Sequence, residues 1–152
     1  MSVDLYVALP ADNWPTAAQF RQCIAARGYP IEVQGFPSPD RSEVRTEGAQ
    51  VLLDGTLAHL EGEVFSVAVA PDDIATINER LAAKGSPQIA ASEAVISFRP
   101  RSPAEMRAAS YLVASLVICF DGFGFEPQGN TSGRGDFATA LVTGAEALKD
   151  LQ

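Results

Sequence analysis

Histidine and cysteine, the residues most often recruited for metal binding and nucleophilic catalysis, are nearly absent from this chain. There is one histidine, His59, and two cysteines, Cys23 and Cys119, among 152 residues. A structural zinc site needs four such ligands at regular spacing, so no metal site is expected. Carboxylates alone can hold calcium, but no segment follows the EF-hand order of ligands. Basic residues are also scarce, with 11 Lys and Arg against 19 Asp and Glu and a formal net charge of −8. Such a surface repels a phosphate backbone, so no nucleic-acid partner is expected. No long hydrophobic run is present either. The longest, Tyr111 to Phe120, is broken only by Ser115 and falls far short of the ~20 residues that cross a bilayer as a helix. No membrane association is expected. The N-terminus has an acid at position 4 and no basic flank, which makes it a poor signal peptide. The expected location is the cytoplasm, where Cys23 and Cys119 would be kept reduced as two buried thiols.

What is present is the composition of an ordinary folded domain, 47% hydrophobic and 20% charged. At this length the chain fits a single domain, 1–152, with a sizeable core. The negative charge is unevenly spread. Residues 1–76 hold eleven acids against four bases, while 77–152 hold eight against seven. From Thr46 to Glu79 there are seven acids and no Lys or Arg. Within that stretch Glu47, Asp54, Glu61, Glu63, Asp72 and Asp73 form a candidate partner-binding face for a basic protein. An acidic face that merely keeps the protein soluble reads the same way in sequence.

The pattern of elements is strand and helix in alternation. Val3 to Leu9 reads as a strand buried on both faces. A helix from Trp14-Pro15 to Arg27 ends at Gly28, ahead of Pro30, and a strand follows over Ile31 to Phe36. The polar stretch Pro37 to Gln50 is a long loop. Asp54-Gly55, between Val51–Leu53 and Leu57–Leu60, is a strong tight-hairpin signal. Strands are expected at Val64 to Ala70 and Ala94 to Phe98, with a helix between them that closes near Lys84-Gly85. That closing segment, Ile77 to Pro87, matches Phe20 to Pro30 at most positions in type, including Ala-Ala-basic-Gly-x-Pro. Generic helix-ending chemistry accounts for the match as well as duplication does. If the repeat is real, it divides the chain into two degenerate βαβ-type halves at about 1–60 and 61–152.

Ser102-Pro103-Ala104-Glu105 is a capping box with proline at the first helical position. It opens a helix so apolar that it must have layers packed on more than one side. The strand-like Phe123-Gly124-Phe125 follows, then the glycine-rich loop Pro127 to Gly135. Asp136 is the expected N-cap of a last helix, Phe137 to Leu151. Hairpin signals demand antiparallel pairs, so the expected fold is α+β. It has an antiparallel or mixed sheet with helices mainly on one face, ferredoxin-like or a tandem βαβ variant.

Sites of chemistry are faint. The loop from Glu126 to Asp136 leads into a helix N-terminus, where amides and Arg134 can meet an anion. It lacks the Walker and dinucleotide spacings, however, and serves equally well as a connector. Arg99 and Arg101 flank Pro100 at the start of the capped helix, with Arg107 further along. They either hold an anion or pair with Glu105 and Glu126. Arg99, Arg101, Glu126 and Arg134 therefore form the alternative, ligand-binding set. No Gly-x-Ser-x-Gly elbow is present, and nothing in sequence brings Asp121 and Glu126 together as an acid–base pair. No catalytic residue and no cofactor is assigned, and His59 reads as a hairpin or surface residue.

From Ala108 to Gln128 an apolar helix runs into Gly-Phe-Gly-Phe-Glu-Pro-Gln. This segment resembles one in small bacterial α/β immunity-type proteins, with Glu126 standing where aspartate would be expected. The resemblance implies a non-enzymatic protein that neutralises a toxin by binding it. An acidic face suits that role, since many such targets are basic nucleases.

Overall fold

A computed structural model describes residues 3–128 and 131–151. Twelve regular elements follow one another: β1 (Leu5–Pro10), α1 (Ala17–Arg27), β2 (Ile31–Gly35), β3 (Ala49–Leu53), β4 (Thr56–Leu60), β5 (Gly62–Ser66), α2 (Pro71–Ala83), β6 (Glu93–Phe98), α3 (Pro103–Cys119), β7 (Phe123–Glu126), β8 (Thr131–Gly133) and α4 (Gly135–Leu148). The centre is α3, the apolar helix. Its N-terminus is held by the Ser102 hydroxyl, which accepts from the Glu105 amide at 3.1 Å. The reciprocal half of the capping box is replaced, because Glu105 accepts instead from the Arg101 amide at 3.2 Å. Every residue from Arg107 to Val117 is buried. Layers enclose α3 as its composition requires, with strands of both sheets, α1 and α4 all packed against it.

Both sheets are antiparallel, in an α+β arrangement. The larger runs β5-β6-β1-β7-β8 and the smaller β2-β3-β4. Since β6 and β7 both pair antiparallel with β1, they run parallel to each other, and α3 is the crossover between them. The β3–β4 hairpin turns on Asp54 and Gly55, both at positive φ (50° and 84°), as a two-residue turn matched to strand twist requires. Two of the strand–helix–strand units, β1–α1–β2 and β5–α2–β6, have different outcomes. Strand β1 and strand β2 lie in different sheets, whereas β5 and β6 are antiparallel neighbours.

Side-chain alternation divides the larger sheet into two faces. Leu5, Val7 and Leu9 belong to the main core with α3 and the smaller sheet. Ala8, Phe65, Val95, Phe123 and Phe125 belong to a second core, closed by Ile74 and Leu81 of α2. Helices α1, α3 and α4 contribute to the first core, and α2 alone lies over the opposite face. Gly124 faces the first core. A Cβ there would stand 2.4 Å from the Phe137 ring, so the glycine is what lets α4 approach β7.

Several local expectations are corrected. Helix α1 starts at Ala17, capped by Thr16, because Thr16 and Gln19 form a complete capping box. Strand β5 ends at Ser66, where a turn bonds the Ala70 amide to the Ser66 carbonyl. The N-cap of α4 is Arg134, without a side-chain cap, and Asp136 sits in the first turn. The glycine-rich loop contains the short strand β8, and its Gly129 and Asn130 lie outside the described residues. The largest correction concerns the cysteines. Cys23 of α1 and Cys119 at the end of α3 are joined by a disulfide, with Cα atoms 6.1 Å apart. Packing α1 beside the last turn of α3 brings together two residues that lie 96 positions apart in sequence.

Candidate functional site

The face of the larger sheet that carries α2 is only partly covered. Strand register aligns Glu63, Ser97, Tyr6, Phe125 and Ser132 in one row across β5, β6, β1, β7 and β8. On this face the next row, Phe65, Val95, Ala8 and Phe123, is buried. In the Glu63 row only Phe125 is buried, and this row and the strand ends beyond it are left partly open. Together with α2 they bound a cleft of about 900 Å³.

Helix α2 forms the roof. It follows β5, and just past its end the Lys84 ammonium donates to the Ser132 hydroxyl of β8 at 3.2 Å. The helix therefore crosses the strands. Asp73, Thr76, Ile77, Arg80 and Leu81 line the cleft at three- and four-residue steps, one helical face. The floor is aromatic at its centre, with Tyr6 stacked on Phe125 at 5.0 Å and 22°. Below it, Arg99 donates to the Asp4 carboxylate at 3.0 Å, and Gln128 bonds both the amide and the carboxylate of Asp4. That chain closes the lower rim.

The electrostatics of the cleft register on the Tyr6 phenol. Half-burial raises its pKa above 10, the neighbouring Asp4 and Glu63 raise it further, and Arg99 and Arg80 oppose them. Carboxylates and guanidinium groups therefore face one hydroxyl from both the sheet and the helix. Asp4, Glu61, Glu63, Asp73 and Glu126 supply five negative charges; Arg80, Lys84 and Arg99 supply three positive ones. The balance is acidic, with a cationic patch at the C-terminal end of α2.

The two candidate sets read from sequence meet here in part. Glu61, Glu63 and Asp73 of the acidic stretch line the cleft, as do Arg99 and Glu126 of the alternative set. Glu47 is exposed just beyond the lining residue Thr46, and Asp72 is exposed beside Asp73. Asp54 lies elsewhere, on the hairpin turn, in an ion pair with Arg107. Arg101 stands outside the lining and bridges Glu61 at 3.2 Å and Glu105 at 3.9 Å. Arg134 is held at the start of β7, where its guanidinium bonds the Asp121 carbonyl and carboxylate and the Gly122 carbonyl and lies 5.8 Å from the Phe123 ring centre. The four residues of the alternative set are thus not assembled around one point. Asp121 and Glu126 fall at opposite ends of β7 as well. His59 is an exposed residue of β4, and no cluster of three potential metal ligands occurs among the described residues.

Tyr6, Ser97, Phe125, Arg80 and Lys84 were not singled out by the sequence. The signal was the alternation itself. Tyr6 in Leu-Tyr-Val and Ser97 in Ile-Ser-Phe each place a hydroxyl on the same face of neighbouring strands, the mark of an open face rather than a strand buried on both sides. Arg107, grouped in sequence with Arg99 and Arg101, points elsewhere. It is buried to 1% exposure, donates to the Ala145 carbonyl and Asp54, and neighbours Tyr111, whose hydroxyl donates to Glu146 at 2.5 Å. This network ties α3 to α4 and to the β3–β4 turn.

No helix among the described residues is long and apolar enough to cross a membrane. Comparison with known protein families, curated proteins and solved structures finds no match to this chain.

Proposed function

We propose that the chain is a non-catalytic binding protein that takes a basic segment of a partner protein into the cleft beneath α2. One observation carries this reading: Glu61, Glu63 and Asp73, drawn from the stretch without Lys or Arg, converge on a single cavity with an aromatic floor. A cation entering there gains the partly exposed Tyr6 ring, which Phe125 backs, as well as the carboxylates. The binding energy then comes from shape and apolar contact, and charge sets the association rate and the choice of partner. The toxin-neutralising role implied by the resemblance is one form of this function. Its residues, 108–128, fall mostly in buried α3 and β7, so contact with a target rests on the cleft. Disulfides persist in oxidising compartments, and the Cys23–Cys119 bond therefore favours such a compartment over the cytoplasm.

Affinity capture with the tagged protein at low and high salt tests the reading. A basic partner retained at low salt should be lost at high salt, and the double reversal Glu61→Lys with Glu63→Lys should abolish its capture. A partner that survives both would show that binding does not run through the acidic side of the cleft.

A further inference from the structure

Apart from Asp4 and Arg99, which pair with each other at 3.0 Å, the charges lining the cleft are ordered along it. At the β5 side, where α2 begins, the groups are Glu61, Glu63 and Asp73; towards the end of α2 they are Arg80, which acts on Tyr6 of β1, and Lys84, which reaches Ser132 of β8, with Glu126 of β7 also in the lining. Between them lie the Tyr6–Phe125 stack and the Ser97 hydroxyl.

The span between the poles can be obtained in two independent ways. Four strand-to-strand steps separate β5 from β8, about 19 Å at ~4.8 Å per step. Along α2, Asp73 to Lys84 is about 16 Å at 1.5 Å rise per residue. An extended peptide advances ~3.3 Å per residue, so a segment of roughly five or six residues reaches from one pole to the other. The volume of about 900 Å³ stands near the upper end of the ~300–1,000 Å³ typical of small-ligand pockets. It suits such a segment better than a single ion or sugar.

Resting on the partner-binding reading above, we infer that the occupant is an extended peptide segment lying across the strands beneath α2, with its basic end against Glu61, Glu63 and Asp73 and its acidic end or terminal carboxylate against Arg80 and Lys84. Its central side chain lies on the Tyr6 ring, which Phe125 backs. Orientation follows from charge, because the reversed segment would set like charges against both poles. Backbone pairing is not the source of affinity here, since the segment crosses the sheet rather than extending an edge.

A positional-scanning library of labelled hexapeptides, presented to the immobilised full-length protein, tests this. Selection should enrich Lys and Arg at one end, Asp and Glu at the other, and an aromatic or apolar residue between. The residues to be changed are exposed, so the variants keep the fold. Glu63→Lys with Asp73→Lys should remove the basic preference alone, and Arg80→Glu with Lys84→Glu the acidic preference alone. Each double variant should weaken the selected hexapeptide by about tenfold or more. Absence of selection, selection without charge polarity, or an unchanged preference in both variants would overturn the inference. If capture of a basic protein still depends on Glu61 and Glu63 while no polar hexapeptide is selected, the partner reading stands and only the extended-segment inference falls. Capture indifferent to both residues removes the reading beneath it.

Discussion

Breaking the Cys23–Cys119 bond should destabilise the fold strongly. The bond closes a loop of 96 residues, and removing the closure from the unfolded chain costs about 4–5 kcal/mol of stability on the chain-entropy account. For a chain of this size each kcal/mol moves the melting midpoint by roughly 2–4 °C, so the expected fall is about 9–18 °C. Cys23→Ala, Cys119→Ala and the double variant should all melt together, because either change alone opens the loop. Trp14 is a ready reporter. It is the only tryptophan, its indole N–H donates to the Pro37 carbonyl at 2.8 Å, and it stacks on Phe36, which meets Phe20 of α1. Thermal unfolding followed by Trp fluorescence, with and without reductant, gives the shift directly. A double variant melting within 2 °C of the parent, or two titratable thiols in unreduced denatured protein, would refute the reasoning.

Asp54→Asn changes a residue whose side chain is 55% exposed, yet it should destabilise by about 1–3 kcal/mol, because it removes a carboxylate that pairs with the buried Arg107 charge. Asn keeps the positive-φ turn, and Asp72→Asn, also exposed, should stay within about 0.5 kcal/mol in the same denaturant titration. All three tyrosine phenols are raised above 10, with Tyr111 pushed up to about 12 by burial and by its bond to Glu146. Since the folded state holds the proton more tightly than the unfolded chain, this contribution to stability is complete below pH 10 and is lost as pH rises towards 12. Absorbance at 295 nm should show one phenol titrating last, and that step should disappear in Tyr111→Phe.

How much of this was legible depends on the range of the interaction responsible. The Ser102 cap, the Asp54-Gly55 turn, the Gly28 helix stop and the burial of α3 all follow from residues within a turn or two of each other. Sequence alone determined them, and with them the α+β class. The rest was assembled by tertiary structure. Asp4 meets Gln128 across 124 positions, Glu63 and Ser132 share a row only through the register of three intervening strands, and Arg107 turns from the expected anion site into the core. A row across a sheet depends on strand order, and strand order is set by which apolar faces bury one another rather than by any local pattern. For the same reason the two cysteines read as separate thiols until α1 was placed against α3. Local chemistry chose the elements; the packing of their apolar faces decided that acids from one part of the chain and cations from another would line the same cleft.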